Sequence, residues 1–285
     1  MSALTSTAQT EGRLPLRLWL VYAALTLVAV IVLMPFAWVL FGAFRSQAEI
    51  MAAPGAWLPR SFGNVDNFVE LFAHRQFGTY MANSLIVSAM TVATNVLFSA
   101  LAGYALAKIP FKGSRLVFGA ILLAMMVPYI ALFVPSFFII VQMGLVNTLL
   151  GIFLPIAVMP IAVFIMRQFA SSVPDELLEA ARLDGAGELR IFFSIFLPLV
   201  GPAIATVAII TFLNSWNYFL WPLIVAQSQD TYTLPVGLAV ASQAAKSTDY
   251  GLLLAGAIVV LLPVLLLFVF LQRYFVQGVA MSGLK

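Results

Sequence analysis

The stretch "SVPDELLEAARLDGAGELRIFFSIFLPL", Ser172 to Leu199, concentrates charge in a way that its surroundings do not. Between Asp175 and Arg190 it places five carboxylates and two arginines, whereas only 9% of the 285-residue chain is charged and 63% is hydrophobic. Beyond Arg190 the sequence returns directly to apolar residues. The segment is therefore a short polar excursion from a chain that is otherwise suited to an apolar environment.

The composition places the rest of the chain in a membrane. Soluble domains are about 45–50% apolar and about 25% charged, and the mean hydropathy here is +1.06. The chain has no cysteine, which excludes disulfides, thiol catalysis and sulfur-ligated metal sites. The basic residues flank apolar runs, so they are interpreted as topology signals and not as a nucleic-acid footprint.

Uncharged runs predict six membrane spans. A span needs roughly 20 apolar residues to cross about 30 Å of hydrocarbon, and the run 116–166 is long enough for two, with a turn near Met143–Thr148. The first run is too long for a cleaved signal peptide and is predicted to be a retained span. The five runs are Leu18–Phe44, Gln76–Ala107, Leu116–Met166, Ile191–Gln229 and Tyr250–Gln272.

The distribution of Lys and Arg predicts that both termini face the cytoplasm. With the N-terminus inside, ten basic residues fall on the inner side and four on the outer side. The predicted organisation is an N-terminal tail, residues 1–17, a six-span domain, residues 18–276, and a C-terminal tail, residues 277–285. Residues 168–200 form an inner loop, and residues 45–80 and 226–250 form two outer loops.

Local signals predict a helix, a tight turn and a second helix in the charged segment. Ser172, three residues before Asp175, is expected to start a capping box, and Asp184-Gly185 offers a stop in which glycine adopts the left-handed conformation. Leu177, Leu178 and Ala181 form an apolar stripe at helical spacing. The second helix is predicted over Gly187–Phe196, ended by Pro198.

Two interpretations of this helix remain open from the residues alone. It is either a solvated helix lying on the bilayer or a helix that a protein partner grips. A helix on anionic lipid is rich in Lys and Arg, whereas this one is net acidic between residues 175 and 190. That acidity favours a protein partner, to which carboxylates, small residues and Arg182 would be presented.

The same residues resemble the EAA loop of ABC importer permeases. The matching positions are Glu179-Ala180-Ala181, Asp184-Gly185-Ala186, Ile195, Leu197-Pro198 and Pro202. The segments "NSLIVS" (83–88), "AGYALAKIPFKG" (102–113), "GLVNT" (144–148), "SWNYFLWPL" (215–223) and "RYFVQGV" (273–279) are similar to MalG-like permeases of carbohydrate-uptake importers. The C-terminus "MSGLK" departs slightly from the family's ending.

The resemblance implies an all-α ABC type I importer permease and a role for each EAA-loop residue. Glu179 would pair with a basic residue of a cytosolic ATPase, Ala180 and Ala181 would allow close approach, and Gly185 would make the turn, with Asp184 and Ala186 completing the motif. The implied partners are a second, non-identical permease, two copies of the ATPase, an extracytoplasmic solute-binding protein and lipid, but no nucleic acid. This chain would hold no cofactor, because ATP and Mg would bind to the ATPase.

Span five is the predicted solute pathway. Thr211, Asn214, Tyr218 and Trp221 recur near i, i+3, i+7 and i+10, and Asn217 lies alongside; amides and aromatic rings suit sugars. Packing between helices explains the same residues equally well. No ionisable residue lies deep in a span, which argues against a proton-coupled carrier.

The sequence therefore predicts a multi-pass permease subunit of a bacterial inner membrane. It would import a sugar, oligosaccharide or polyol, with ATP hydrolysed on a partner and no enzymatic activity of its own. The alternatives are a permease for another solute class, a stand-alone secondary carrier and a membrane-embedded enzyme. The lone His74 is expected to be solvated, and no metal site is expected.

Overall fold

The computed structural model describes residues 16–243 and 248–282, and for residues 16, 243 and 271–282 it describes the backbone alone. Most of the predicted N-terminal tail lies outside the described residues. In chain order the α-helices are α1 (Leu16–Gly42), α2 (Gln47–Ala52), α3 (Asp66–Val69), α4 (Phe77–Lys108), α5 (Ser114–Met126), α6 (Phe133–Gln142), α7 (Leu149–Phe153), α8 (Pro160–Ser172), α9 (Asp175–Leu183), α10 (Glu188–Ile191), α11 (Leu197–Leu199), α12 (Gly201–Trp216), α13 (Leu220–Val225), α14 (Leu234–Gln243) and α15 (Tyr250–Ser282).

The helices provide up to six membrane crossings, which agrees with the predicted all-α, six-span fold. Three are single helices, α1, α4 and α15, and three are pairs of helices with a bend between them. The bent pairs are Ser114–Met126 with Tyr129–Gln142 at 95°, Leu149–Ile156 with Pro160–Ser172 at 44°, and Glu188–Leu199 with Gly201–Trp216 at 79°.

Proline accounts for the breaks in spans three and four. Pro128 follows the end of α5, and Pro160 begins α8. Between them the chain reverses at residues 143–148, where Gly144 and Asn147 have φ angles of 68° and 59°. The turn predicted at Met143–Thr148 is therefore confirmed.

Helix α4 runs through the centre of the bundle, with a buried polar stripe along one side. Asn95 lies on this stripe opposite the break in span four, where its Nδ2 donates to Ile156 O at 2.9 Å and its Oδ1 accepts from Met159 N at 2.7 Å. These bonds satisfy backbone groups that the break leaves without helical partners. The other buried polar residues of this stripe are Asn83, Ser84, Ser88, Thr91 and Ser99.

Glycine lets α4 approach α8 closely. A Cβ placed on Gly103 would lie 2.8 Å from Met166 Cγ and 2.9 Å from Arg167 N. Gly103 belongs to the small-residue spacing of "SALAGYALA", residues 99–107. Such spacing is typical of helix-contact faces in membranes, and the contact positions the α4 C-terminus beside the charged segment.

The two ends of α4 define the two ends of the molecule. Near its start, the Asn83 amide donates to Asp230 O at 2.8 Å and Tyr232 O at 2.9 Å, just before α14. Its last residue, Lys108, contacts the start of α9. These regions are called the α14 end and the α9 end below.

Three local predictions differ from the structure. Ser172 ends α8, and its hydroxyl donates to Phe169 O at 2.7 Å, so it does not cap α9, whose N-cap is Pro174 without a side-chain bond. Pro198 does not end the second helix, because it lies in the first turn of α11, where a missing N–H costs nothing. The predicted outer loop 226–250 contains α14, with Leu234 and Val236 fully buried.

Candidate functional site: the exposed helix at the α9 end and the break in span five

Helix α9 presents one face to the protein's own core and the other to its surroundings. Leu178 and Ala181 are buried in a cluster with Tyr104, Met166 and Phe196. The predicted stripe of Leu177, Leu178 and Ala181 is thus partly correct, because Leu177 remains 47% exposed. Glu179, Ala180 and Asp184 are exposed, whereas Ala181 faces inward and is not available for the close approach to a partner that the resemblance implied.

Gly185 ends α9 in the conformation that the sequence predicted. Its φ of 81° is in the left-handed region, which side chains disfavour. Ala186 N donates to Ala181 O and Gly185 N donates to Arg182 O, both at 3.0 Å. These two bonds form a Schellman motif, which fixes the tip of the hairpin between α9 and α10.

Two polar contacts attach the α9 segment to α4. At the start of α9, Lys108 Nζ lies 2.6 Å from Asp175 Oδ1 and donates to Val173 O at 2.5 Å. Beyond the tip, the Tyr104 hydroxyl donates to Glu188 Oε2 at 2.7 Å. We call these the Lys108 contact and the Tyr104 contact. Sequence reasoning counted Lys108 only as a topology signal and did not single out Tyr104.

Arg182 is also held within this chain. Its Nε donates to Glu188 Oε1 at 2.7 Å, and that hydrogen bond raises the pKa of Arg182 above its usual value. Arg182 is exposed but paired with Glu188, so its presentation to a partner's socket stays a prediction. The exposed apolar residues of the segment were missed: Leu183 is 90% exposed and Leu189 is 71% exposed.

The predicted pathway stripe in span five does not form, because α12 ends at Trp216. Asn217–Phe219 separates α12 from α13, so Tyr218 and Trp221 are not in helical register with Thr211. Thr211 and Trp221 are fully buried. The Thr211 hydroxyl donates to Val207 O at 2.7 Å, and Trp221 Nε1 donates to Gly151 O at 3.0 Å, so both have packing roles.

Among the residues that the structure describes, the other three members of the predicted stripe have no such packing bond to another helix. They are Asn214, Asn217 and Tyr218. Both asparagines are exposed, and each donates to the carbonyl four residues before it. The Tyr218 hydroxyl is buried without a hydrogen-bond partner. The Tyr218 ring lies 6.0 Å from that of Tyr129, at the break in span three, so the broken parts of spans three and five adjoin.

The described residues define a class of protein: a helical membrane protein with several broken spans and a short exposed helix at one end. Its sequence identifies the family. Residues 95–281 match the family model described as "Binding-protein-dependent transport system inner membrane component", and the chain belongs to that family. The resemblance to ABC importer permeases and the multi-pass membrane assignment are thereby confirmed.

Related proteins are similar over almost their whole length. An arabinooligosaccharides transport system permease protein, AraQ of Halalkalibacterium halodurans, is 40% identical, with 95% of this chain and 98% of the relative covered. The lactose transport system permease protein LacG of Rhizobium radiobacter is 37% identical, with 90% and 93% covered. The trehalose/maltose transport system permease protein MalG of Thermococcus litoralis is 29% identical, with 94% and 97% covered.

A solved structure shows the same fold. The crystal structure of a bacterial ABC transporter involved in the import of the acidic polysaccharide alginate contains a chain that matches with a TM-score of 0.78 at 22% identity. The match covers 94% of this chain and all of that one. The type I importer permease fold expected from the sequence is therefore shared.

Proposed function

We propose that this chain forms half of the transmembrane pathway of an ATP-driven importer for a sugar, oligosaccharide or polyol. A soluble binding protein delivers the solute, and a second permease completes the pathway. Permease relatives named for arabinooligosaccharides, lactose and trehalose/maltose support the solute class. The chain performs no chemistry, because two copies of a cytosolic ATPase bind and hydrolyse ATP.

The main support for the coupling role is that α9 is anchored on one face and exposed on the other. The Lys108 and Tyr104 contacts attach the segment to α4 before and after its tip. Because α4 also packs closely against α8 at Gly103, force applied to α9 reaches two spans. A rigid element with this arrangement suits rigid-body transmission of motion.

The exposed face of α9 suits a protein partner. Glu179, Ala180 and Asp184 are exposed, and the tip adds Leu183 at 90% exposure. Helices that lie on anionic lipid are rich in Lys and Arg, so the exposed carboxylates of α9 favour a protein partner. In this proposal the α9 end is cytosolic, Glu179 pairs with a basic residue of the ATPase, and the fixed turn at Gly185 fits its groove.

The exposed amides support a pathway along span five. A lipid-facing position is unfavourable for an amide, so Asn214 and Asn217 face water or a partner. Within the described residues their side-chain oxygens accept no hydrogen bond. These oxygens offer acceptors to sugar hydroxyls at a place where two spans are broken, as is common in transporters. The Tyr218 hydroxyl is buried without a partner, so it would donate to a solute only if the break in span five opens.

The second permease has an apolar surface to pack against. The most apolar stretch of α1 has no buried residue in this chain. Lipid covers part of such a helix, and a partner permease can cover the rest. The proposal therefore includes a heteromeric assembly in the bacterial inner membrane.

The test of the coupling role is the Glu179→Lys variant in the complete transporter. Reversing the charge in a buried pair at an interface costs more than about tenfold in affinity, so the variant should insert normally but lose the ATPase or its coupling. Glu176→Lys, with the same charge change on the same helix outside the EAA residues, is the matched control. Gly185→Trp, compared with Gly187→Trp, tests the left-handed turn.

Retention of binding-protein-stimulated ATP hydrolysis and of transport in Glu179→Lys would contradict the coupling role. The solute class is tested separately, by measuring uptake of labelled oligosaccharides and of amino acids. Uptake of amino acids alone would favour the alternative, an ABC permease for a different solute class. Sustained uphill uptake by this chain without any ATPase would instead support a secondary carrier.

A further inference from the structure

A basic groove opens at the α9 end, between the connection from α4 to α5 and helices α8 and α9. Its volume is about 1090 Å³. Five cationic residues line it, together with the carboxylates of Asp175 and Glu179. The cations are Lys108, Lys112, Arg115, Arg167 and Arg182.

Three of these five cations have no salt bridge within the described part of the chain. Lys108 pairs with Asp175, and Arg182 pairs with Glu188. In the described part of the chain, no salt bridge involves the three remaining cations, Lys112, Arg115 and Arg167. Glu179 is the one carboxylate of the lining without a salt bridge in the same residues, so the groove carries an excess of positive charge.

Two of the unpaired cations mark the same membrane boundary. Arg115 and Arg167 flank the uncharged run 116–166, which crosses the membrane and returns. Both ends of such a hairpin lie on the same side of the bilayer, and the groove brings the two arginines together. The groove therefore lies where apolar spans meet the polar phase, which is the level of lipid phosphates.

The Arg167 side chain is held in place, but one of its hydrogen-bond donors has no acceptor. Its guanidinium carbon lies 3.9 Å from the centroid of the Phe118 ring, a cation–π contact. Its Nε is buried and has no hydrogen-bond partner. A buried donor without a partner is costly, and an acceptor entering the groove would remove that cost.

The start of α5 adds to the preference for an anion. The helix has 13 residues, and its N-cap is Gly113, so no side chain caps its first N–H groups. Ser114 and Arg115, in its first turn, line the groove. The positive end of a helix dipole favours a negative ligand, so the backbone and the side chains act together here.

We propose that this groove binds the phosphate of an anionic phospholipid headgroup. Arg115 and Arg167 contact the phosphate, and Lys112 contributes charge at the rim. Leu116, which is 81% exposed and follows Arg115 directly, offers an apolar surface to the acyl chains. Leu183 and Asp184 at the α9 tip do not line the groove, whereas Glu179 does, so an ATPase that pairs with Glu179 borders the groove and neutralises its one unpaired carboxylate.

The test measures lipid that stays bound to the transporter complex. The complex is placed in nanodiscs of phosphatidylcholine containing a small fraction of phosphatidylglycerol or cardiolipin, and bound anionic lipid is counted by native mass spectrometry. The double variant Arg115→Gln/Arg167→Gln should bind the anionic lipid about tenfold more weakly or worse, since each substitution removes a charge-assisted hydrogen bond. Arg190→Gln, on an exposed residue outside the groove lining, is the matched control and should bind lipid as the wild type does.

A second variant tests the site if the double variant fails to assemble. Phe118→Leu removes the ring under Arg167 without changing charge, and it should weaken lipid binding severalfold. Equal binding by the wild type and the groove variants would overturn the proposal, as would an equal loss in Arg190→Gln. Loss of the ATPase with lipid retained would assign the groove to a protein. Displacement of the lipid by millimolar inorganic phosphate would assign it to a free anion.

Discussion

The α9 end and the α14 end of this permease are both attached to α4, but by different chemistry. At the α9 end the attachments are charged: the Lys108 contact, and Glu188 shared by Tyr104 and Arg182. At the α14 end they are neutral: the Asn83 amide donates to two backbone carbonyls, and the Ser84 hydroxyl accepts from Leu234 N. The α9 segment also extends beyond its attachments to an exposed tip, whereas α14 is packed into the bundle.

The difference in attachment indicates how each end would serve in the proposed importer. Neutral amide-to-backbone bonds with buried residues such as Leu234 and Val236 fix the α14 end in one arrangement. Ion pairs near the surface contribute little to stability in water, so the anchoring of α9 also depends on the burial of Leu178 and Ala181. In the proposed importer, the α9 end would transmit movement and the α14 end would provide the fixed surface on which a solute-binding protein docks.

The largest effect is expected from separating the two helices that hold the α9 end. Gly103→Leu places a side chain against Met166 and the backbone of Arg167, and such overpacking costs about 3 kcal/mol of stability. The thermal unfolding midpoint in detergent should fall and transport should be lost. Gly119→Leu is the control, because a Cβ there meets nothing within 4 Å. Equal midpoints for the two variants would show that α4 does not approach α8 in this way.

At the α14 end, Asn147→Ala should cost about 2 kcal/mol, the order expected when several hydrogen bonds lose one partner. Asn147 Oδ1 accepts from Gln227 N at 2.8 Å and from Ser228 N at 3.0 Å. Asn147→Asp keeps these acceptors and should unfold close to the wild type, whereas Asn147→Gly keeps only the freedom to adopt a φ of 59°. If glycine stabilises as well as Asp, the turn conformation matters and the hydrogen bonds do not.

At the α9 end, Lys108→Met should lower transport more than stability. Asp175 is 70% exposed and water can solvate it, so the loss is mainly the bond to Val173 O, about 1 kcal/mol. The expected result is a several-fold drop in solute imported per ATP hydrolysed, with partial rescue in Lys108→Arg. A parallel fall of transport and ATP hydrolysis, in proportion to folded protein, would reduce the contact to a structural role.

The smallest effect is expected from Tyr104→Phe, which removes one hydroxyl and leaves the ring packed on Phe192 and Phe196. Glu188 keeps its bond to Arg182, so the stability loss should stay below about 1 kcal/mol. Combined with Lys108→Met, the variant should reduce the ratio of transport to ATP hydrolysis further than either change alone. If the double variant has the same ratio of transport to ATP hydrolysis as Lys108→Met alone, the Tyr104 contact does not transmit movement.

The sequence predicted what depends on composition and on short-range signals. Uncharged runs are sufficient to locate spans, and Gly185 predicted the end of α9, because only a residue tolerant of positive φ suits that position. The turn at 143–148 followed from the length of the uncharged run 116–166, which is enough for two spans. The EAA-loop residues were found by resemblance, although Ala181 proved to face the core.

The remaining features depend on contacts between distant parts of the chain. Tyr104 and Glu188 are 84 residues apart, and no pattern in either segment indicates that they meet. The stripe in span five failed because helical spacing was assumed through Asn217–Phe219, where the helix is interrupted. Ser172 is a suitable N-cap by type, but α8 extends far enough to include it.

The most direct measurement of the central claim is cross-linking from single cysteines in the assembled transporter, since the chain has no cysteine of its own. Asp184→Cys places the probe at the exposed tip of α9, and Gln229→Cys places a matched exposed probe at the α14 end. We predict that the first cross-links to the ATPase subunit, with a yield that changes when ATP is added, and that the second does not. An intact, ATP-hydrolysing complex in which Asp184→Cys reaches no ATPase would contradict the account.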